Sequence, residues 1–266
     1  MRYITIYLAA IFFTVMQYAG AEINEKSEPV HISLMSEEET IQPGRPFWVI
    51  TRLQLDEGWH TYWKNPGDAG MATSIKWNLP EGFTASQINW PMPKRFTVEG
   101  VIGYGYDSEV LLLTQITPPK VLPSGTTFEL KADARWLICS DSFCMPGEAP
   151  LTVTLPASDG KPVVKKENAD YFARAQILVP NQISGVKVKR VGDFLELYVP
   201  MPADGQLPVS VYFCPESPDA IDHSVDATVK PSTSSTHYIL SFKPGADKDA
   251  WPDTLKGVVV ASVGRN

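Results

Sequence analysis

With 266 residues, 44% of them hydrophobic and 20% charged, the chain is long enough for two ordinary domains and apolar enough to bury a core in each. Its net charge of −7 comes from acidic and basic residues scattered along the sequence, which argues against a nucleic-acid surface. It holds no low-complexity tract and no short-period repeat, and past the first residues no segment is apolar for long enough to cross a membrane as a helix.

The chain opens with Arg2, an apolar run from Ile4 to Val15 and the small residues Ala19, Gly20 and Ala21. This is the shape of a secretory signal cleaved after Ala21. The run falls short of the roughly 20 apolar residues a span needs, and Glu22 and Glu25 follow it in place of basic residues. Residues 1–21 are therefore expected to be a signal peptide. Export places the cysteines in an oxidising compartment, where a disulfide is permitted and a reduced pair needs a supply of electrons.

Beyond Ala21, 23 prolines and 17 glycines mostly punctuate short runs of Val, Ile, Thr and aromatics, the pattern of an all-β chain. Strands are expected at Val30 to Met35, Phe47 to Leu55, Thr73 to Trp77, Ala85 to Asn89, Glu109 to Ile116, Thr127 to Ile138 and Leu151 to Leu155. Seven strands suit a β-sandwich over residues 22–157. Pro156 to Lys166 is polar and reads as a linker. Asn168 to Val179 then reads as an amphipathic helix with Tyr171, Phe172, Ala175 and Leu178 on one face and Pro180 ending it, so that linker and helix fill residues 158–182. A second, smaller β-sandwich is expected over 183–266, with strands at Val186 to Val191, Phe194 to Val199, Val209 to Phe213, Val225 to Val229, His237 to Phe242 and Gly257 to Val263. This half shows no pattern that carries chemistry.

The stretch with chemistry is Trp136 to Pro146, which holds Cys139 and Cys144, two of only three cysteines. Residues five apart diverge on a helix and lie about 16 Å apart on an extended strand. A disulfide wants Cα atoms roughly 5.5 Å apart, so for the sulfurs to meet the chain must double back with Ser140 to Phe143 at the tip. Phe128, Leu130, Ala132, Ala134 and Trp136 alternate with Glu129, Lys131, Asp133 and Arg135, marking a strand with one buried and one wet face. Continued to Cys139, the alternation puts that residue on the wet face.

Such a bridge has three readings. A loop of about six residues gives roughly 2 kcal/mol in the chain-entropy model, whereas joining Cys139 to Cys214 gives about 4.5, so a structural staple would gain more from the longer loop. A short exposed loop suits redox exchange. Cys139, Cys144 and Met145 could also offer soft sulfur to Cu(I), while zinc would want a fourth ligand that no nearby His or Cys supplies.

Other residues have competing readings too. Trp59, His60, Tyr62 and Trp63 precede Asn65-Pro66-Gly67-Asp68, either as a core strand running into a turn or as an aromatic cap or rim near the dithiol. His60 as a cation would lower a thiol pKa; its plainer role is a hydrogen-bonded structural residue. Gly100 to Tyr106 lacks the Lys-Ser/Thr ending of a phosphate loop and is expected to be turns or a flexible glycine loop. Asp141 and Glu148 read as solvated loop charges. Cys214, ending the apolar Val211-Tyr212-Phe213, reads as a buried inert thiol.

The strings Trp59 to Gly70, Ile75 to Gly82, Trp90-Pro91, Gly103-Tyr104-Gly105-Tyr106, Trp136 to Cys139 and Cys144-Met145-Pro146-Gly147 together resemble the periplasmic N-terminal region of DsbD-like protein-disulfide reductases, especially the ScsB-like branch. The resemblance covers roughly residues 30–156; the second half looks like the β region that follows in longer members. It implies an immunoglobulin-like domain carrying the dithiol on an inserted β element under a cap loop, with the cap expected within Trp59 to Gly70. It also implies protein-disulfide reductase activity in the periplasm, without a bound cofactor or metal. Electrons would pass from a thioredoxin-like or membrane-embedded reductase through Cys139 and Cys144 to oxidised periplasmic thiol proteins. Cys144 matches the family's second cysteine, which implies that it forms the mixed disulfide. Full-length members continue into a multi-helix membrane domain and a thioredoxin-like domain, and these 266 residues include neither: either a separate membrane reductase is expected to supply the electrons, or the chain is a fragment of a longer protein or a stand-alone relative with a changed role. Two readings from other classes stand beside this one. The first is a secreted β-sandwich binding module that displays Trp59, Trp63, Trp77 and Trp90 and has a structural disulfide. The second is a Cu(I)-handling protein.

Overall fold

A computed structural model describes residues 28–202, 205–224, 227–233, 236–245 and 254–262. The expected signal peptide and part of the expected strand at Val225 to Val229 lie outside the described residues. Ten strands build the first domain: β1 Val30–Ser36, β2 Phe47–Leu55, β3 His60–Gly67, β4 Ser74–Asn78, β5 Thr84–Ala85, β6 Lys94–Val98, β7 Val101–Tyr106, β8 Glu109–Thr117, β9 Thr127–Cys139 and β10 Cys144–Pro156. They form two sheets, one ordered β1-β2-β8-β5 and the other β10-β9-β3-β7-β6, with β4 pairing β9 further along from β3.

The sandwich core follows from side-chain parity. On β9, Leu130, Ala132, Ala134, Trp136 and Ile138 are all buried, while Glu129, Lys131, Asp133 and Arg135 are exposed. They meet Phe47, Val49 and Leu53 of β2 and Val110, Leu112 and Ile116 of β8 from the opposite sheet. β2 and β8 read as nearly continuous apolar runs because both of their faces are covered. Their remaining residues, Ile50, Leu111 and Leu113, pack against the helix α1, Ala169–Leu178. A 3-10 turn at Lys166–Asn168 leads into that helix. Asn168 does not cap it through its side chain; its Nδ2 instead donates to Ser36 O at 2.8 Å. Phe172 and Ala175 are buried as the periodicity predicts, but Leu178, in the last turn of the helix, is exposed.

Six strands follow: β11 Lys187–Val191, β12 Phe194–Pro200, β13 Ser210–Pro215, β14 Thr228–Pro231, β15 His237–Phe242 and β16 Gly257–Ser262. They make a sheet ordered β11-β12-β15-β14 and a β13-β16 pair, with Leu197, Phe213, Leu240 and Phe242 between them. The architecture is thus a β-sandwich, a short helix and a second β domain, as the sequence implies.

Three local expectations are corrected. The strand at Ala85 to Asn89 shrinks to Thr84–Ala85, with Asn89 making only an isolated bridge to Leu113. The glycine-rich Gly100 to Tyr106 is largely strand β7, joined to β6 through a tight turn in which Glu99 and Gly100 have φ of 50° and 85°. The strand expected at Leu151 to Leu155 begins at Cys144 and pairs with β9 along its whole length.

Candidate active site

The β9–β10 hairpin places Cys144 directly opposite Cys139, and the four residues Ser140 to Phe143 close the loop. Ser140 N donates to Phe143 O at 2.9 Å, and Ala157 N donates to Thr126 O at 2.8 Å at the other end. These two bonds fix the alternation along the ladder: Cys139 and Cys144 form a non-hydrogen-bonded pair, the kind whose side chains approach most closely. The two are joined as a disulfide with Cα atoms 4.0 Å apart.

The same ladder sets the character of the sheet edge. β10 lies at the edge of its sheet, and Pro146, Pro150 and Pro156 all share the parity of Cys144, so each would otherwise point an N–H away from β9. Prolines there remove donors from the free edge and discourage another strand from adding to it.

The two sulfurs differ in environment. Cys144 is exposed; Cys139 is only 2% exposed. Alternation does place Cys139 on the outward face of β9, but that face is not wet at this end, which corrects the expected exposure. β3 pairs with β9 so that His60 lies opposite Cys139, and Tyr62, two residues on, shares the same side. Thr61 and Trp63 point the other way, with Trp63 fully buried in the sandwich core. Tyr62 Oη donates to Cys139 Sγ at 3.1 Å. His60 Nε2 lies 3.3 Å from the same hydroxyl. A disulfide sulfur can only accept, so the tyrosine proton points to sulfur and the imidazole Nε2–H donates to the tyrosine oxygen. Burial pushes the Tyr62 pKa up and the His60 pKa down, the latter against the pull of Asp141 and Asp107. Both groups are therefore neutral donors at neutral pH.

Phe96, which the sequence reading passed over, completes this aromatic group. Its ring lies 4.6 Å from that of His60 and 6.2 Å from that of Tyr62. It sits over Gly103, where a Cβ would come within 2.4 Å of the phenyl ring. Gly70, with φ of 116°, backs the Tyr62 ring from another side. At the loop tip Trp59 makes an edge-to-face contact with the exposed Phe143 at 5.2 Å. Of the residues anticipated as a cap or rim, the structure brings His60 and Tyr62 to Cys139 and Trp59 to the loop, while Trp63 lies on the far side of the strand. The signal that could have found Phe96 is the alternation in Lys94 to Val98 ahead of the Glu99-Gly100 turn.

The remaining candidates lie elsewhere. Met145 falls on the opposite face from the sulfurs and packs against the core, so it offers the pair no third soft ligand. Among the described residues no group of three or more His, Cys, Asp or Glu side chains is arranged to hold a metal. Trp59, Trp63 and Trp90 belong to one core cluster and Trp77 to another, so the four do not form one displayed aromatic surface. Asp141 is exposed, and exposed Glu148 pairs with exposed Arg135 at 3.2 Å. Cys214 is fully buried at the seam between the two domains, and burial pushes its thiol far above the usual range.

Comparison with known proteins agrees with this geometry. The family model described as thiol:disulfide interchange protein DsbD, N-terminal, matches residues 33–156. The crystal structure of the N-terminal periplasmic domain of ScsB from Proteus mirabilis has a similar fold with a TM-score of 0.63 at 20% identity, covering 89% of this chain and 90% of that one. That similarity extends over both β domains. The reduced N-terminal domain of DsbD from Neisseria meningitidis aligns over 50% of this chain and 88% of its own at 12% identity, with a TM-score of 0.25. No curated protein matches the sequence. Residues 33–156, which carry both bridged cysteines and the side chains around them, are thus similar to the N-terminal domain of the thiol:disulfide interchange protein DsbD.

Proposed function

We propose that the chain is a periplasmic protein-disulfide reductase component, relaying electrons from a thioredoxin-like or membrane-embedded thiol reductase to oxidised periplasmic thiol proteins. The observation that carries this reading is the asymmetry of the bridge: Cys144 is open to a partner, and Cys139 lies under an aromatic cover with a hydroxyl aimed at its sulfur. A donor thiolate attacks Cys144 Sγ in line with the S–S bond; that bond breaks and Cys139 leaves as a thiolate. The Tyr62 hydroxyl is already placed to hydrogen-bond the charge that appears there. The second donor thiol then resolves the mixed disulfide, so that two electrons and two protons reach the pair and the donor becomes a disulfide. In the outgoing half, Cys144 attacks the acceptor's disulfide and Cys139 resolves the adduct. No cofactor takes part. The expected domain division, with residues 22–157 as redox unit, 158–182 as connector and 183–266 as second β domain, is part of this proposal.

Incubating the oxidised chain with a reduced thioredoxin-like protein and quantifying free thiols tests the relay. Equilibration within minutes supports it. A bridge that stays oxidised while unfolded chain is readily reduced contradicts it.

A further inference from the structure

We propose that the open edge of β16 is a docking site for an extended segment of a partner protein, apolar on both faces and acidic at one end, which adds a third strand to the β13–β16 pair. The proposal stands apart from the relay reading, because it concerns binding by the second β domain and does not depend on the state of the bridge.

The four-stranded sheet of the second domain is faced by only two strands, β13 and β16. That pair is covered on both of its faces. Phe213 and Val259 pack with the core of the second domain, whereas their neighbours Cys214 and Val258 pack with the first. β13 is fastened to the first domain: Asn65 Nδ2 donates to Pro215 O at 2.8 Å, and Tyr212 Oη donates to Pro93 O at 3.1 Å. Tyr104 Oη, 2.9 Å from His223 Nδ1, ties the domains a third time.

β16 differs from its partner. Among the described residues it has no second neighbour. Glu216 N donates to Lys256 O at 2.9 Å, so Lys256 and, by alternation, Val258 turn their main-chain groups to β13, while Gly257 and Val259 turn theirs away. The edge of β10 is guarded by prolines and that of β11 by Lys187, Lys189 and Arg190. β16, from Gly257 to Ser262, has neither a proline nor a charge.

Along this strand runs a cleft of about 1010 Å³. Val186 and Leu197 line it from the second domain, and Trp63, Trp90 and Met92 from the first. A strand laid beside β16 would be covered on both faces, which calls for a continuous apolar run and not an alternating one. Ile177 and Ile183 also line the cleft and are 80% and 52% exposed, an apolar surface that a partner would cover. Trp63 is buried, and its indole N–H has no acceptor among the described residues; a docked main-chain carbonyl would supply one. Of the charges at the cleft, Lys64 and Glu216 pair with each other at 2.6 Å. Exposed Lys256 has no acidic partner among the described residues, and it matches an acidic residue at the end of the segment.

A random peptide library displayed on phage is selected against the full oxidised chain, and the enriched sequences are titrated as fluorescent peptides by anisotropy. These sequences are expected to carry an apolar run next to Asp or Glu, and their binding to slow amide exchange at Gly257 and Val259. Val259→Pro removes a donor that β13 does not use and is expected to weaken binding at least about tenfold. Lys256→Glu, at an exposed position, is expected to weaken it roughly threefold, and it serves if the proline variant does not fold. No enriched sequence, enriched sequences that are polar or basic, unchanged exchange at Gly257 and Val259, or affinities unmoved by the folded variants would each overturn the proposal. So would a dimer in sedimentation that is lost in Val259→Pro, which would make a second copy of the chain the occupant.

Discussion

Cys139 and Cys214 are both almost completely buried, at 2% and 0% exposure, yet only Cys139 is bridged and belongs to the proposed redox centre. Cys139 is bonded to an exposed partner sulfur and receives a tyrosine hydroxyl; Cys214 lies among Trp63, Tyr104 and Tyr106 at the domain seam and has only apolar work to do. Burial therefore does not separate the two. What separates them is a route for the attacking thiolate, which Cys144 supplies on one side, and a group waiting for the charge on the other. Cys214 lacks the route, and its thiol is held protonated by desolvation.

The sharpest way to break this contrast is to exchange the outcomes by mutation. Cys144→Ser is expected to lower electron transfer from a thioredoxin-like donor by at least roughly a thousandfold, because no disulfide is left to accept the electrons. Cys214→Ala should leave that rate within about twofold, since Cys214 takes no part in the exchange. Stopped-flow measurement of donor oxidation distinguishes the two. Tyr62→Phe comes next. It keeps the ring between Gly70 and Phe96 but removes the donor to Cys139, and hydrogen bonds to charged groups are worth about 1.5–3 kcal/mol. Reduction of the bridge should slow by roughly 10- to 100-fold, with the melting temperature little changed.

Smaller effects sharpen the contrast on the stability side. Cys214→Ser places a hydroxyl where the thiol meets apolar neighbours, and an unsatisfied buried polar group costs about 1–3 kcal/mol. Denaturant unfolding should show that loss, whereas Cys214→Ala costs only a small cavity. The smallest effect concerns pH. His60 binds its proton less tightly folded than unfolded, where its pKa is near 6.5. Its stabilising contribution is complete above that value and declines as pH falls below about 6.5 towards the folded pKa. Thermal melts at about pH 7.5 and pH 5.5 should therefore show a smaller acid-side drop in His60→Gln than in the native chain.

The sequence was legible wherever one strand's own pattern decides the outcome. The alternation from Phe128 to Trp136 gives β9, its inward face and the parity of Cys139, and the spacing to Cys144 forces the chain to turn back. What parity could not say is that the outward face dries out at its end, because the covering residues His60 and Tyr62 come from a strand more than 70 residues earlier. The glycines of β7 misled for a related reason. They read as loop, but Gly103 makes room for the Phe96 ring and Gly105 for Thr61 O, which would lie 1.9 Å from an added Cβ. Glycine in a strand marks close approach, and what approaches is visible only after folding. The seam residues Tyr104, Tyr212 and His223 carried no signal for the same reason: each finds its partner across domains.

The central claim is that exchange enters through Cys144 and leaves charge on Cys139. Trapping tests it most directly: Cys139→Ser and Cys144→Ser chains are each mixed with a thioredoxin-like donor activated as a disulfide, and the adducts are mapped by mass spectrometry. The account predicts a stable adduct on Cys144 in the first variant and little or none on Cys139 in the second. Equal adducts on both cysteines, or adducts on Cys139 alone, would contradict it.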